Sequence, residues 1–227
     1  MNSTVPDAPA RNPRSYDTQQ ALMRSVEHIA AQKGLENISI REILTAAKQK
    51  NESALQYHFK NLSGLLTAVR IDRAREIDEA RKLQIEKLTQ TSASLSLRQI
   101  CEIMVMPPFR LAKASPSFRN YIKAFSHEMA YMNESSRKKF FRQRMGHSRD
   151  ALLGLLKAAI PHLDEQLFDI RIQHALKLTS TAMSSHAQMP GAFRGKSTEI
   201  FIQTLIDSLE GLLSAPVSTA TQSALRK

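Results

Sequence analysis

Residues 39 to 59 contain the pattern that most constrains the fold, because they encode two short helices separated by a polar turn. Ser39 and Glu42 have the spacing of a capping box, in which each side chain satisfies a backbone N–H group at a helix start. The second helix has only two apolar members, Ala54 and Leu55, so its other faces are polar. Two helices joined in this way can deliver side chains into a DNA groove. The first helix has one apolar face, predicted to be buried, made of Ile40, Ile43, Leu44 and Ala47.

The flanking residues extend this pattern to four helices. Upstream, an apolar stripe predicts a first helix that ends at Gly34, since glycine suits a left-handed C-cap. Downstream, Asn61 is placed to cap a long fourth helix over residues 62 to 88. The stripe of the first helix consists of Leu22, Val26, Ile29 and Ala30.

The second short helix ends in the run ALQYHF, in which Tyr57, His58 and Phe59 follow a capped helix. Together with its flanking helices, this segment resembles the N-terminal DNA-binding domain of the TetR family of bacterial transcriptional regulators, over residues 16 to 75. The resemblance implies an all-α protein with an N-terminal helix-turn-helix domain and a larger C-terminal helical domain for ligand binding and dimerisation. Double-stranded DNA and a second copy of the chain are the partners it implies.

Two positions depart from the family pattern. The turn between the short helices contains Lys48, Gln49 and Lys50, where relatives usually have a glycine. The turn therefore needs either a non-glycine residue with positive φ or a slightly longer path. At the start of the fourth helix, Leu62 stands where many relatives have a lysine that contacts phosphate, and Lys60 is placed to supply that charge instead.

The polar residues around the second helix are candidates for contacts with DNA. Amide and hydroxyl groups can pair with the donors and acceptors of base edges, and the predicted readers are Asn51, Ser53 and Gln56. For Tyr57 and His58, packing beside Phe59 is an equally good interpretation. The predicted contacts with the DNA backbone are Lys48, Lys50, Tyr57, His58 and Lys60, together with Ser39 and Arg41 at the start of the preceding helix.

Composition favours a folded, basic protein. The chain has 227 residues, of which 42% are hydrophobic, and a net charge of +11, which suits a polyanionic partner. No run of eighteen apolar residues occurs, and the first fifteen residues lack the apolar segment of a signal peptide, which predicts a soluble, cytoplasmic protein without a membrane partner. Cys101 is the single cysteine, so no internal disulfide can form; a small buried residue is the better interpretation than a redox group.

Most of the positive charge lies outside the helix-turn-helix region. Residues 1 to 60 contain eight Lys and Arg against six Asp and Glu, whereas residues 61 to 150 contain seventeen against nine. Part of this excess is a basic run from residue 137 to residue 149. A solvated helix face, a site for an anionic ligand and a secondary electrostatic surface remain alternatives for this run.

The chain divides into four predicted segments. Residues 1 to 15 form a flexible arm, and residues 16 to 60 form the helix-turn-helix domain. The domain for effector binding and dimerisation covers residues 61 to 214, and residues 215 to 227 form a disordered tail. Arg11 and Arg14 in the arm can reach a neighbouring groove, although a disordered end is the better interpretation. Helices are expected over residues 134 to 159, 164 to 186 and 196 to 214.

The region from residue 95 to residue 129 is the predicted effector pocket. Pro107 and Pro108 are expected to kink or end its first helix, and Pro116 opens the second. A small apolar or amphipathic effector, with an acidic group as one option, is predicted between them. The candidate pocket residues are Met104, Phe109, Tyr121, Phe125 and Met129, although each taken singly fits core packing better.

The last helix has an apolar stripe wider than packing against one neighbour requires. This width predicts burial on two sides, and the resemblance implies that the last two helices of two subunits form a four-helix bundle. Complete burial within one subunit is the alternative. The predicted dimer-interface residues are Ile200, Phe201, Leu205 and Leu209.

Patterns of enzymes and cofactor sites are weak in this sequence. The run GAFRGKS over residues 191 to 197 has three residues between its glycines instead of the four of a phosphate-binding loop. The seven histidines lack metal-ligand spacing, and no nucleophile motif occurs. We therefore predict no enzyme activity, cofactor or metal, and a homodimeric, ligand-responsive repressor that binds a palindromic operator. A structural or division-control DNA-binding protein of the same fold without a ligand is an alternative, as is an enzyme on a helical scaffold.

Overall fold

The computed structural model describes residues 13–92, 94–126, 128 and 147–225. Every regular element in these residues is a helix, which confirms the predicted all-α class. The chain divides into two compact units, Met1–Val69 and Arg70–Lys227, here called the N-terminal and C-terminal units. The junction falls inside one long helix, nine residues after the predicted domain limit at residue 60.

The N-terminal unit begins with α1 (Pro13–Lys33), so the end of the predicted arm is helical. A short 3₁₀ turn, Leu35–Asn37, leads into α2 (Ile40–Ala46) and α3 (Ser53–Phe59). The long helix α4 (Leu62–Thr91) continues into the C-terminal unit. The core that holds α1, α2 and α3 together consists of buried side chains, including Leu22, Val26, Ile43, Leu55 and Leu65.

The end of α1 is the glycine cap that the sequence predicts. Gly34 has φ +86°, and its N–H donates to the carbonyl oxygen of Ala30 at 2.9 Å. A Cβ atom on Gly34 would lie 2.7 Å from a carboxylate oxygen of Glu36. The Glu36 side chain is flexible and can move aside, so the positive φ is what favours glycine here.

The C-terminal unit contains six further helices in its described part. They are α5 (Leu97–Ala114), α6 (Pro116–Phe125), α7 (His147–Ala159), α8 (Glu165–Gln188), α9 (Gly195–Ser214) and α10 (Thr219–Leu225). Side-chain caps fix several starts: the Asp164 carboxylate accepts from the N–H of Leu167 at 2.8 Å, and Ser96 and Gln99 form a capping box. The basic residues 137 to 146 lie outside the described part.

The core of the C-terminal unit joins five of these helices. Fully buried side chains come from α5, α6, α7 and α9, among them Ile103, Phe118, Leu156, Ile206 and Leu209. Helix α8 packs against α6 and α9, and α9 also packs against α5. Helix α10 buries no residue and lies within the segment predicted as a disordered tail, so the structure differs from that prediction.

The two prolines of α5 do not end it. Pro107 and Pro108 lie in the middle of Leu97–Ala114, and Pro107 is buried in the core. Neither has an N–H, so the carbonyl oxygens one turn earlier lose their helical donors. Because these losses affect only one turn, the capped start and the packed apolar face maintain a single helix through both positions.

Candidate functional site

The start of α2 is fixed by a network around Glu42. Its carboxylate accepts from the N–H of Ser39 at 3.1 Å, from the Ser39 hydroxyl at 2.7 Å and from Lys33 Nζ at 2.5 Å. The Ser39 oxygen in turn accepts from the N–H of Glu42, which completes the predicted capping box. These bonds, with Lys33 first among them, lower the pKa of Glu42 to about 2. Ser39 is therefore engaged in capping, which competes with its predicted contact to the DNA backbone.

The turn between α2 and α3 uses a lysine in the left-handed region. Lys48 has φ +55°. Its N–H donates to Thr45 at 3.1 Å, and the N–H of Gln49 donates to Leu44 at 2.8 Å, which is the bond pattern of a Schellman motif. Of the two options that the sequence left open, a positive φ is the one realised. The turn thus keeps the short path that glycine usually provides and adds an exposed cation.

Helix α3 presents a polar face to solvent. Ser53, Gln56 and Tyr57 are exposed and lie at positions i, i+3 and i+4, so they share one side of the helix. Tyr57 is 82% exposed, which is unusual for an aromatic ring in a folded protein. Leu55 lies on the opposite side and is fully buried, so it anchors the helix to the unit.

The residues that precede α3 are also exposed. The Asn51 side-chain oxygen accepts from the N–H of Ser53 at 3.1 Å, a local turn that serves as a cap. The formal N-cap residue is Glu52, whose side chain makes no capping bond, so Asn51 supplies the side-chain cap from one residue earlier. The remaining predicted DNA contacts that are exposed are Arg41, Lys48, Lys50 and Lys60.

His58 faces the other way from Tyr57. Its ring is half-buried, and its Nδ1 accepts from the amide nitrogen of Gln19, on α1, at 3.1 Å. Burial lowers the pKa of His58 below its ordinary value, so the ring is neutral near pH 7. For His58 the packing interpretation fits this geometry better than a charged contact with phosphate.

The joint between α3 and α4 is unusually tight at Gly64. A Cβ atom built on Gly64 would lie 1.9 Å from the carbonyl oxygen of Phe59. The Asn61 side-chain oxygen accepts from the N–H of Gly64 at 2.8 Å, which confirms the predicted cap of α4. Lys60, between the two helices, has φ +69°. The orientation of α3 against α4 thus depends on the absence of a side chain at position 64.

The residues of the predicted effector pocket take part in core packing. Met104, Phe109 and Phe125 are buried in the core, and Tyr121 is half-buried. The rings of Tyr121 and Phe125 stack with centroids 5.2 Å apart, and the Arg70 guanidinium lies over Phe125 at 5.4 Å. These contacts agree with the core-packing interpretation of each side chain, and the pocket itself stays a prediction. Met129 lies outside the described residues.

A groove between α8 and α9 has a volume of about 490 Å³. Three of the four predicted dimer-interface residues line it, namely Ile200, Phe201 and Leu205. Ile200 is 58% exposed, whereas Leu205 is nearly buried. Leu209 is fully buried within the subunit and is therefore a core residue, which corrects its predicted role.

His186 fixes one end of this groove. Its Nε2 accepts from the backbone N–H of Phe193 at 3.2 Å, and its ring stacks on Phe201 with centroids 4.0 Å apart. Phe193 is buried and has φ +64°, an unfavourable conformation for a bulky residue. The bond to His186 requires an unprotonated Nε2, and burial lowers the pKa of His186 below its ordinary value of 6.5.

We expect the thermal stability of the protein to fall as the pH decreases from 7 to 5, partly through His186. Its folded pKa is lower than its unfolded pKa, so below about pH 6.5 the unfolded chain binds a proton that the folded chain does not. His186→Gln, whose amide oxygen can replace Nε2, should show a weaker pH dependence of Tm. His174→Gln, at an exposed position of the same helix, should show the same pH dependence of Tm as the wild type. The part of this dependence that remains in His186→Gln includes a contribution from His58. Equal slopes in all three proteins would contradict this assignment.

The sequence of the C-terminal unit matches a known family. A family model described as "Tetracyclin repressor-like, C-terminal domain" matches residues 102–215, which is half of the chain. The chain belongs to the TetR family. TetR-family proteins are transcriptional regulators. No curated protein matches the chain.

The family match and the helix-turn-helix pattern cover different parts of this TetR-family chain. The helix-turn-helix pattern lies within residues 16 to 75, whereas the matched segment runs from α5 to the end of α9. Among the described residues, no single helix is long and apolar enough to cross a membrane; one bent pair, Gly195–Ser214 with Thr219–Leu225, meets that test by length and composition.

Three features of this TetR-family chain were not predicted from the sequence. The close approach at Gly64 had a signal, a glycine in the first turn of a capped helix. The other two had none: the bond between His186 and Phe193 depends on the backbone path of the loop between α8 and α9, and the burial of Arg81 depends on contacts with α7, far away in the sequence. Cys101 is fully buried, and burial raises the pKa of its thiol to about 12, which agrees with a packing role.

Proposed function

We propose that this protein is a DNA-binding transcriptional repressor that acts in the cytoplasm as a homodimer on a palindromic operator. The observation that carries the proposal is the exposed polar face of α3, placed by the Schellman turn after α2, in a chain that belongs to the TetR family. Because Leu55 anchors this short helix, its polar and aromatic face can stay exposed at little cost to the stability of the unit. Such a face suits contacts with base edges in the major groove.

The proposed roles follow from exposure and chemistry. Gln56, Ser53 and the amide nitrogen of Asn51 read base edges, and Tyr57 contacts the sugar-phosphate backbone. The side chains assigned to phosphate are Lys48, Lys50, Lys60 and Arg41, all of which are exposed. Because the N-terminal unit is only mildly basic, a small number of these cations supplies most of the electrostatic attraction.

Dimerisation is assigned to the groove between α8 and α9. Ile200 and Met189, 58% and 60% exposed, place apolar surface where a second copy can cover it. A symmetric dimer presents two copies of α3 to half-sites about one helical turn apart, roughly 34–36 Å. A ligand that binds the DNA-free conformation more tightly then releases the operator by shifting the population.

A second candidate is a structural DNA-binding protein of the same fold that has no small ligand. The burial of Met104, Phe109 and Phe125 in the core supports it, because these residues were the predicted walls of the ligand pocket. The two candidates share their DNA contacts and differ in whether a small molecule changes operator affinity.

We expect Gln56→Ala to weaken binding to a specific site by about 1–3 kcal/mol and to relax discrimination at one base pair. Lys50→Ala should instead weaken binding to all sequences and reduce the salt dependence by about one ion. Binding titrations over a salt series, on operators selected from random DNA, measure both effects. Gln90→Ala and Lys87→Ala, at exposed positions of α4 in the other unit, are the matched controls and should bind like the wild type.

The assignment of α3 fails if Gln56→Ala and Lys50→Ala both retain wild-type affinity and discrimination. Failure of the wild-type protein to select any sequence from random DNA would contradict the proposed function as a whole.

A further inference from the structure

Three arginines of α4 are buried or nearly so within the C-terminal unit, and two of them have a carboxylate of their own. Arg70 makes two bonds to Glu128, of 2.8 and 2.6 Å. Arg73 makes two bonds to Glu76, of 2.9 and 3.0 Å. Such bidentate pairs compensate a guanidinium for the loss of water. The third arginine, Arg81, lacks an equivalent partner among the described residues.

Arg81 is 8% exposed, and Ser148 is its hydrogen-bond partner in the described part of the chain. Its Nη1 lies 3.5 Å from the Ser148 hydroxyl, at the limit of a hydrogen bond, and within the described part of the chain its Nε has no acceptor. The Ser148 hydroxyl donates to the Asp78 carboxylate, so this serine is already committed. Gln84, one turn further along α4, likewise has a buried side-chain oxygen without a donor in the described residues.

The surroundings of Arg81 disfavour its positive charge. Burial, the largest effect, lowers the pKa of Arg81; the Asp78 carboxylate raises it and the Arg149 guanidinium lowers it. Arginine stays protonated in proteins, so the burial does not remove the charge. A buried charge without a strong partner is destabilising, and a ligand that supplies the partner would bind with a corresponding gain.

We propose that Arg81 and Gln84 form the polar end of a binding site for a small organic acid. The carboxylate of the ligand accepts from the Arg81 guanidinium, and a hydroxyl or N–H group of the same molecule donates to the Gln84 oxygen. Ile77, Ile85 and Leu88 lie one or two turns from Arg81 on α4 and are only partly buried, so the apolar part of the ligand would contact their uncovered surface. This proposal names the chemical class of the ligand in the proposed function, and its regulatory role rests on that function. The ligand site proposed here lies at α4 and α7, not between α5 and α6 as the sequence predicted.

Thermal shift of the full-length protein without DNA tests the site. The probes are acetate, benzoate, 2-hydroxybenzoate, octanoate and 3-hydroxyoctanoate, each compared with its neutral amide at constant ionic strength. At about ten times its dissociation constant, at least one acid should raise the Tm of the wild type by roughly 2–5 °C over its amide. Arg81→Met should abolish this difference, and Gln84→Leu should abolish only the advantage of a hydroxy acid over its parent acid.

Stability without ligand gives a second, independent readout. Arg81→Met removes a buried charge that lacks a bidentate partner, so its Tm should equal or exceed that of the wild type. Arg73→Met is the matched control on the same helix: it leaves Glu76 without its arginine and should lower the Tm, yet retain the shift with acids. Arg81→Gln replaces Arg81→Met if the latter does not fold, with the same expected loss of the acid effect.

The proposal is overturned if no acid stabilises the wild type more than its amide, or if Arg81→Met keeps the effect. It is also overturned if Arg81→Met and Arg73→Met lower the ligand-free Tm equally, because Arg81 would then have a partner of its own within the chain. None of these measurements involves DNA, so they are independent of the operator titrations: a chain that binds acids but no DNA would contradict the proposed function and leave this site standing.

Discussion

Gly64→Ala should unfold or misorient the helix-turn-helix and abolish operator binding. The new Cβ atom would lie 1.9 Å from the backbone oxygen of Phe59, and a backbone atom cannot move aside by changing rotamer. Separation of α3 from α4 would break the cap from Asn61 and disturb the anchor at Leu55. We expect a loss of at least about 3 kcal/mol in the stability of the N-terminal unit, at or beyond the upper end of ordinary overpacking. Chemical denaturation and operator titration measure the two effects.

Gly154→Ala is the matched control for this substitution. Gly154 lies at an exposed position of α7, and a Cβ atom added there would have nothing within 4 Å. Alanine there should stabilise the helix by about 0.5–1 kcal/mol, because glycine loses more backbone entropy on folding. A Gly64→Ala protein with wild-type stability and affinity would show that the joint between α3 and α4 tolerates a side chain.

Ile200→Glu should convert the proposed homodimer into a folded monomer. Ile200 is largely exposed in the single subunit, so glutamate there costs the subunit itself little. In a symmetric interface the same substitution occurs twice and buries two unpaired carboxylates. We expect dimerisation to weaken by at least about 100-fold, equivalent to about 2.7 kcal/mol. Sedimentation velocity over a concentration series measures this change.

Leu83→Glu provides the same chemical change outside the groove. Leu83 lies on α4, is 66% exposed and does not line the groove between α8 and α9. This variant should sediment like the wild type. Dissociation of both variants would point to a general loss of stability, and an unchanged dimer in Ile200→Glu would place the interface on another surface.

Local sequence rules predicted the helix-turn-helix well. The capping box at Ser39 and Glu42, the glycine at the end of α1 and the cap at Asn61 are all interactions between residues close in sequence. Such interactions depend on residue type and spacing, which a sequence shows directly. The positive φ at Lys48 was one of two options, because the sequence fixes the need for a turn but not its backbone path.

The C-terminal unit was harder to predict, because its features depend on which helices pack together. The spacing of Met104, Phe109 and Phe125 fits core packing better than a pocket wall for each residue singly, and it does not show how α5 packs against α6 and α9. In the same way, the width of the stripe on α9 indicates two covered sides without showing that Leu209 faces its own subunit. The dimer itself stays a prediction.

At Lys48 and Lys60, a low-energy backbone conformation and a positive charge beside α3 call for different residues. Each holds a backbone conformation that glycine would adopt at lower energy, and each places a cation beside α3. Replacement by glycine would relax the backbone but remove a positive charge from the surface assigned to DNA. Under the proposed function, selection for heat resistance alone would tend to lower operator affinity at these two positions, and the conformational strain would be the cost of two additional contacts with phosphate.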